Sequence, residues 1–391
     1  MIEKVAPGKP SPPAGARSAR AVAIDAMVRI EEGAYANLVL PELLAGTDLA
    51  ARDRAFATAL VYGATRMRRA CDWLVDRFVD RPLEPVVRAV LRLGAYQLAF
   101  LHTPAHAAVS SMVDESPARA KGLVNAVLRK VAADPSPRWP DPATRLSYPD
   151  WVIRRLAADL GLEDAEAALE QMNVAAEVSE REDGYVQDRA SQEVAAEVGV
   201  GAGERAVDLC SAPGGKATAM AAAAGRGLVV AADVSFHRSR LVVQNLERLD
   251  SRNVSVLVAD GRHPPLQPAS ADRVLVDAPC SGLGVLRRRP DARWRVQPED
   301  VDRLARLQRD LLAGAASLVR PGGTLVYSVC TLTLAETAEV DAWLAQARPD
   351  LVPLTPPAPP WAPLGRGARL LPQSAGTDGM FLLKLRRSEL G

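Results

Sequence analysis

Apolar residues in the first third of the chain recur at the three- and four-residue spacing of amphipathic helices. Ala21, Ile24 and Val28 form one such series, and residues 86–100 carry the same pattern through a longer stretch. We find no convincing alternation of the kind that predicts strands in this part of the sequence. The pattern therefore predicts an all-helical bundle over residues 18–134.

After residue 205 the pattern changes to short apolar runs that alternate with helical runs. Such alternation is typical of βαβ units, in which helices cover both faces of a parallel sheet. A last apolar run at 380–385 is expected to add an antiparallel strand, and the proline-rich stretch 352–363 is expected to be a surface loop. The predicted strands are 206–209, 228–232, 254–258, 274–276 and 324–329, and the predicted helices are 216–224, 236–249 and 301–318.

Proline-rich segments mark the expected boundaries between these blocks. Residues 1–17 are rich in Pro, Gly and Lys, which is typical of a disordered tail. Pro135, Pro137, Pro140 and Pro142 interrupt the chain after the helical block. We therefore expect a tail at 1–17, a helical domain at 18–134, a linker with short helices at 135–204 and an α/β domain at 205–391.

Composition is that of a globular protein and argues against several classes of function. Of the 391 residues, 48% are hydrophobic and 24% are charged, and the net charge of +1 indicates no particular partner. The chain has no run of 18 apolar residues and no signal-peptide core, so we expect a cytoplasmic protein without a membrane span. Its four scattered cysteines form no C-x-x-C pair, which argues against a disulfide framework and a zinc site.

The segment DLCSAPGGK, residues 208–216, follows the first predicted strand and opens a helix. Its glycines allow a ligand to approach the backbone closely, and the helix N-terminus offers free N–H donors. It matches neither the triphosphate-binding pattern G-x-x-x-x-G-K-[ST] nor the dinucleotide-binding pattern G-x-G-x-x-G. Asp233, Asp260 and Asp277 follow the next strands, where carboxylates can accept ribose hydroxyls and an adenine amino group. This set resembles the S-adenosylmethionine site of Rossmann-like methyltransferases.

Two cysteines are predicted at the same edge of the sheet as this loop. Cys280 follows the fourth predicted strand in DAPCSG, and Cys330 follows the fifth in YSVCT. A thiolate that adds to carbon 6 of a pyrimidine turns carbon 5 into a nucleophile, which can then accept a methyl group. The pair therefore indicates covalent methylation of a pyrimidine, and the spacing alone does not decide which thiol attacks.

Four motifs in a fixed order carry a resemblance to a known family. They are DLCSAPGGK, DAPCSGLGVLRRRPDARW, YSVCT and TDGMF. Together they resemble the RsmB/NOL1/NOP2/Sun family of RNA cytosine-5 methyltransferases, in particular its bacterial RsmB type with an N-terminal NusB-like domain. The resemblance implies a Rossmann-like α/β methyltransferase domain, a NusB-like RNA-binding domain at 18–134, S-adenosylmethionine as methyl donor and small-subunit ribosomal RNA as substrate.

The resemblance also implies a role for each thiol. Cys330 would be the nucleophile, and Cys280 would assist proton removal and product release, whereas DNA cytosine-5 methyltransferases use their Pro-Cys thiol as nucleophile. Asp277 and Lys216 would complete the catalytic set. We expect no metal site and a monomeric protein. The expected cofactor-binding residues are Cys210, Ser211, Ala212, Pro213, Gly214, Gly215, Lys216, Asp233, Arg238, Asp260, Gly261 and Asp277.

An arginine-rich stretch after Cys280 is the predicted contact with RNA. Residues 287–309 hold eight Arg, with Trp294 among them. Guanidinium groups can bind phosphates, and an aromatic ring can stack on a base that has left its helix. The residues expected to contact RNA are Arg287, Arg288, Arg289, Arg293 and Trp294.

The segment before the α/β domain departs from the family pattern. The family usually has a longer α/β segment there, whereas this chain has only the short acidic stretch 173–185. The difference leaves two alternatives open beside methylation of ribosomal RNA. One is a catalytically impaired RNA-binding protein of the same fold, and the other is a cytosine-5 methyltransferase that acts on transfer RNA.

Overall fold

Apolar residues on the inner faces of the N-terminal helices pack into one core. The computed structural model describes residues 17–389 and divides into two units, of which the first comprises 17–148 together with 289–291. Leu60, Leu91 and Leu128, from three different helices, are fully buried in this core. The helices are α1 (Ala19–Glu31), α2 (Ala36–Ala45), α3 (Ala51–Arg66), α4 (Arg68–Asp76), α5 (Pro85–Ala99), α6 (Ala105–Asp114), α7 (Lys121–Ala133) and α8 (Pro142–Leu146), with a 3₁₀ turn at Ala118–Ala120.

Local sequence accounts for the starts of several of these helices. Ser18 caps α1 by accepting a hydrogen bond from the Ala21 N–H at 3.0 Å. Asp141 caps α8 in the same way, accepting from the Thr144 N–H at 2.7 Å. Pro85 begins α5, where a backbone N–H would have no partner within the helix. Helix α8 falls within the stretch that the sequence assigns to a linker, and its contacts group it with the first unit.

The second unit, residues 149–288 and 292–389, alternates strands and helices. Within the described residues, 17–389, no helix is both long enough and apolar enough to span a bilayer. The strands are β1 (Arg205–Asp208), β2 (Leu228–Asp233), β3 (Val254–Val258), β4 (Ala271–Asp277), β5 (Val319–Val329), β6 (Leu351–Pro353), β7 (Ala362–Leu364), β8 (Gly367–Leu370) and β9 (Met380–Arg387). The helices are α9 (Asp150–Leu160), α10 (Leu162–Gln171), α11 (Arg189–Glu197), α12 (Gly215–Ala224), α13 (Phe236–Arg248), α14 (Ala292–Arg295), α15 (Pro298–Leu318), α16 (Ala338–Ala347) and α17 (Pro372–Ala375).

The strands form one sheet in the order β3-β2-β1-β4-β5-β9-β8-β7, with β6 paired to β9. Strands β1 to β5 all run parallel to one another, and β9 runs antiparallel to β5. Val274 and Val276 of β4 are buried in one core with α15, whereas Leu275 is buried in a second core with α12 and α13. Because successive side chains of a strand point to opposite faces, this division shows that the sheet is covered on both sides.

The Rossmann-like α/β class and the antiparallel last strand are confirmed, with some differences in detail. Strand β5 begins at Val319, five residues before the predicted start at 324, because Val319 pairs with Ala271 ahead of a register irregularity. The stretch 352–363, predicted as a loop, contributes to β6 and β7. The predicted disordered tail, residues 1–17, lies outside the described residues except for Arg17.

Candidate active site

The carboxyl ends of the central parallel strands gather the predicted site residues at one edge of the sheet. Asp208 ends β1, Asp233 ends β2 and Asp277 ends β4, while Cys330 directly follows β5. The register fixes this arrangement, because Asp208 pairs with Leu275 and Asp277 pairs with Ser328. In open α/β sheets the crevice outside these strand ends is where ligands bind.

The loop between β1 and α12 has a conformation that its glycines make possible. Gly214 has a φ of +106°, which disfavours any residue with a Cβ, and a Cβ there would lie 3.2 Å from Val242. At Gly215 a Cβ would lie 2.8 Å from the ring of Tyr185. Arg238 holds the loop by donating to the Ala212 carbonyl at 2.8 Å. The two glycines therefore allow Val242 and Tyr185 to pack directly against the buried backbone at the start of α12.

Asp208 and Asp233 are buried beside this loop in different settings. Asp233 accepts a hydrogen bond from the Ser235 N–H at 3.0 Å and forms an ion pair with Arg238 at 3.4 Å. Asp208 accepts from the Cys210 N–H through Oδ1, at 3.3 Å. Burial, and then the charge of Asp277, raises the pKa of Asp208 to about 7.

Asp260 and Gly261 follow β3 and differ in exposure. Asp260 is partly exposed, and the side chain of Arg262 binds both of its carboxylate oxygens. This contact lowers the pKa of Asp260 to about 2. Gly261 is buried, and a Cβ there would lie 3.3 Å from the Leu209 carbonyl, so the β3 loop lies against the β1 loop.

Orphaned polar atoms indicate that this edge fits S-adenosylmethionine. Among residues 17–389, neither Asp208 Oδ2 nor Ser211 Oγ has a hydrogen-bond partner, although both atoms are buried. Such atoms suit the donors and acceptors of a polar ligand. Val234 and Phe236, beside Asp233, are 68% and 70% exposed, so two large apolar side chains lie at the surface next to this carboxylate.

Lys216 and Asp277 form a close ion pair, with 2.6 Å between Nζ and Oδ2. Burial by itself lowers the pKa of Lys216, but the charge and hydrogen bond of Asp277 outweigh it, so the pKa is raised. Lys216 is therefore a fixed cation that connects the start of α12 to the end of β4. In residues 17–389 no cluster of three or more His, Cys, Asp or Glu side chains could hold a metal ion.

The structure brings Cys280 and Cys330 into direct contact, with 3.2 Å between the two sulfur atoms. The Gly284 N–H donates to the Cys330 carbonyl at 3.0 Å, which holds the two cysteine loops together. The hydrogen bond with Cys330, together with burial, raises the pKa of Cys280 well above its ordinary value. Either sulfur could donate in this contact, so the geometry alone does not distinguish the roles of the two thiols. Of the other cysteines, Cys71 is buried in the first unit, and the pKa of Cys210 is raised by burial.

The predicted RNA-binding arginines are distributed between the interior and the surface. Arg287 is buried, where it donates to the Gly376 carbonyl at 2.7 Å, and Arg288 bridges Asp188 and Asp378 at 2.6 and 3.0 Å. Arg293 is fully buried and donates to Asn173 at 2.9 Å. These contacts make Arg287 and Arg293 connectors of loops, because buried guanidinium groups are closed to phosphates. Of the two remaining residues predicted to contact RNA, Arg289 is exposed and Trp294 is half-buried.

Comparisons with known proteins match both parts of the chain. The family model described as 16S rRNA methyltransferase RsmB/F matches residues 199–386, and the NusB family model matches residues 17–133. The ribosomal RNA small subunit methyltransferase B of Thermus thermophilus is 37% identical over 400 positions, covering 94% of this chain and 97% of that protein.

Two further proteins are similar over almost the whole chain. A protein of Mycobacterium tuberculosis is 38% identical over 434 positions, covering 90% of this chain and 93% of that protein. The solved structure of PH0851 superposes with a TM-score of 0.76 at 24% identity, covering 95% of this chain and 99% of that one. The similarity to PH0851 concerns the fold alone.

Proposed function

The chain belongs to the family described as 16S rRNA methyltransferase RsmB/F, and on that premise we propose that it methylates carbon 5 of a cytosine in small-subunit ribosomal RNA. Family membership confirms the resemblance and the S-adenosylmethionine cofactor predicted from the motifs. The choice of cytosine carbon 5, the covalent intermediate and the role of each residue belong to the proposal.

The contact between Cys280 and Cys330 carries this proposal. Two thiols 3.2 Å apart can both reach one pyrimidine ring at the edge of the sheet where the glycine loop lies. Proteins that methylate an exocyclic amino group need hydrogen-bond acceptors at such a position, whereas these sulfurs suit addition to a carbon. S-adenosylmethionine, when bound, supplies an electrophilic methyl group.

The thiols would act in sequence. Cys330, as thiolate, forms a bond from its sulfur to carbon 6 of the cytosine, and the electron pair displaced from the ring makes carbon 5 nucleophilic. After methyl transfer, the proton on carbon 5 passes to a base, the bond between sulfur and carbon 6 breaks, and its electron pair returns to the sulfur of Cys330. In this proposal Cys280 assists the proton removal and release of the product.

The other predicted residues would hold the two substrates. Asp233 would accept hydrogen bonds from the ribose hydroxyls of the cofactor. Asp260 would accept a hydrogen bond from its adenine amino group while it also binds Arg262. Lys216 would keep the Asp277 carboxylate oriented beside the reacting groups. We keep Arg289 and Trp294 as proposed contacts of the RNA, because Arg289 is exposed and Trp294 is half-buried, whereas Arg288 is paired with Asp188 and Asp378.

Methyl transfer to unmodified 16S ribosomal RNA tests the proposal. We expect Cys330→Ala to abolish transfer of radiolabelled methyl groups from S-adenosylmethionine, because the covalent bond cannot form. We expect Cys280→Ala to accumulate a covalent enzyme–RNA adduct that survives denaturing electrophoresis, because release is impaired. Normal turnover by Cys330→Ala would refute the assignment of the nucleophile.

The same assay separates the two alternatives. Faster transfer to unmodified transfer RNA than to ribosomal RNA would favour a transfer RNA methyltransferase. Binding of both S-adenosylmethionine and RNA without any transfer would favour a non-catalytic RNA-binding protein. Bisulfite mapping of 16S ribosomal RNA from cells that lack the protein should show one cytosine that has lost its methyl group.

A further inference from the structure

A buried glutamate lies beneath the two cysteines. Glu336 belongs to the 3₁₀ turn Leu334–Glu336 that follows β5, and its side chain is fully buried. Its carboxylate accepts hydrogen bonds from the Ser281 N–H at 2.8 Å and the Ser281 hydroxyl at 2.5 Å. It also accepts from the hydroxyls of Thr331 and Thr333, at 3.1 and 2.9 Å, and from Gln308 Nε2 at 3.1 Å.

These donors tie the carboxylate to both thiol-bearing segments. Ser281 directly follows Cys280, and Thr331 directly follows Cys330. The two hydroxyls also lie 2.8 Å from each other, so the carboxylate closes a small ring of hydrogen bonds across the two loops. A change in the position of Glu336 would therefore move both cysteines.

Burial of a carboxylate charge in a protein interior carries a large desolvation penalty, even where the carboxylate accepts hydrogen bonds. A neutral side chain could accept some of the same hydrogen bonds with a smaller desolvation penalty, so the charge itself calls for a role. The titratable groups that face Cys280 are Cys330, Glu336 and Tyr327. The hydrogen bond between Cys280 and Cys330 and burial are the main causes of the raised pKa of Cys280, and the charge of Glu336 adds to them.

We propose that Glu336 is a positioning residue that sets the spacing of the two thiols and thereby the approach of both sulfur atoms to one pyrimidine ring. It acts through Ser281 and Thr331 rather than by touching the substrate. This inference rests on the function proposed above. It concerns a residue that lies outside the four catalytic residues of that proposal.

The variant Glu336→Gln tests this role because it keeps the size of the side chain and removes the charge. Its amide NH₂ would face donors, so the ring of hydrogen bonds would rearrange. We expect kcat to fall ~100-fold, as expected for a displacement of about 1 Å, with little change in the KM for S-adenosylmethionine. Glu339→Gln, three residues further along at an exposed position, is the matched control and should keep the wild-type kcat.

A second readout needs neither RNA nor cofactor. The rate of Cys280 alkylation by iodoacetamide, measured by mass spectrometry across a pH series, reports the titration of that thiol. We expect the midpoint to move to lower pH in Glu336→Gln and to stay in place in Glu339→Gln. If the proposed RNA chemistry is wrong, the shift in thiol titration remains, so failure of the two proposals can be told apart.

The variant Glu336→Asp covers the case in which Glu336→Gln does not fold. It keeps the charge but shortens the reach, so we expect a thiol titration close to wild type together with a reduced kcat. Thermal denaturation establishes that the compared variants are folded. A folded Glu336→Gln or Glu336→Asp with wild-type kcat would overturn the proposal, as would a folded Glu336→Gln with wild-type thiol titration.

Discussion

Asp208 bears a carboxyl group that the fold holds in its neutral form up to about neutral pH. Burial is the main cause of its raised pKa, about 7 compared with 3.8 for an ordinary Asp, and the charge of Asp277 adds to it. The folded protein therefore binds one more proton than the unfolded chain between about pH 4 and pH 7. The stability contribution of Asp208 is fully present below pH 4 and is lost as the pH rises through 7.

The variant Asp208→Asn should consequently be more stable than the wild type in alkaline solution. Without cofactor, we expect a gain on the order of 1 kcal/mol at pH 8, or ~2–4 °C in Tm, and no gain near pH 4. Thermal melts between pH 4 and pH 8.5 measure the difference. A difference in Tm that does not vary with pH would contradict the assignment.

Asp260→Asn provides a control of opposite sign. Because Arg262 lowers the pKa of Asp260 to about 2, this carboxylate contributes stability above pH 4 and loses it as the pH falls toward 2. The contribution is small, since the group is partly exposed. We expect Asp260→Asn to be slightly less stable than the wild type at pH 7 and equal to it at pH 2.

At the residue scale, position along a strand was predictable and burial was not. The predicted places of Asp208, Asp233 and Asp277 follow from strand ends, which the apolar runs define. The burial of Arg287 and Arg293 depends on loops around residues 376 and 173, which are distant in sequence. Charge runs therefore predicted a basic surface where the structure has internal connections. The carboxylate of Glu336 was missed for the same reason, because its partners come from three separate segments.

At the scale of elements, the short segment between α10 and α11 packs against the start of α12. Glu180 and Val186 pair as an isolated antiparallel bridge, which forms a small turn. From this turn Arg181 donates to the Gly215 carbonyl and to Thr218 Oγ1, the latter at 3.0 Å. The guanidinium group of Arg181 also lies 4.8 Å from the ring centre of Tyr185. This segment therefore contacts the first turn of α12, which lies at the proposed cofactor site.

The variant Arg181→Ala should weaken the binding of S-adenosylmethionine. Loss of two hydrogen bonds to the first turn of α12 leaves that turn less ordered, and we expect a rise of about tenfold in Kd. Isothermal titration measures the change. Arg252→Ala, at a site where the side chain is 87% exposed, should leave Kd unchanged. Equal Kd values for wild type and Arg181→Ala would mean that Arg181 does not order the first turn of α12 for cofactor binding.

The elements found by sequence reasoning are those with long or well-buried patterns. Strand β3 has the predicted bounds, and helices α5, α12, α13 and α15 differ from the prediction by at most three residues at either end. Strands β6 and β7 have three residues each and contain Pro353 and Pro363. A three-residue strand shows too little alternation to be read from sequence, and its partner strand supplies the hydrogen bonds that define it.

At the scale of the whole molecule, the chain contains separate cores for its two units. One core lies among α1 to α7, and the two others lie on the faces of the sheet. The resemblance predicted both parts and a segment missing before the α/β domain.

Arg92 allows the independence of the first core to be tested. Its side chain is 2% exposed and forms ion pairs with Glu31 at 2.7 Å and Asp72 at 2.8 Å. Replacing it with leucine would leave two partly buried carboxylates without this partner. We expect Arg92→Leu to destabilise the first unit by about 2–3 kcal/mol, as for a broken buried ion pair, without changing the Kd for S-adenosylmethionine.

Calorimetric melting with and without S-adenosylmethionine measures both quantities in the full-length protein. Arg119→Leu is the matched control, since Arg119 pairs with Glu84 on the surface and is 73% exposed, so its loss should scarcely change the melting curve. If Arg92→Leu lowered the melting temperature no more than Arg119→Leu, the buried pair would not stabilise the helical unit. If Arg92→Leu instead weakened cofactor binding as strongly as Arg181→Ala, the two units would have to be energetically coupled, because Arg92 belongs to the first unit and the cofactor loop to the second.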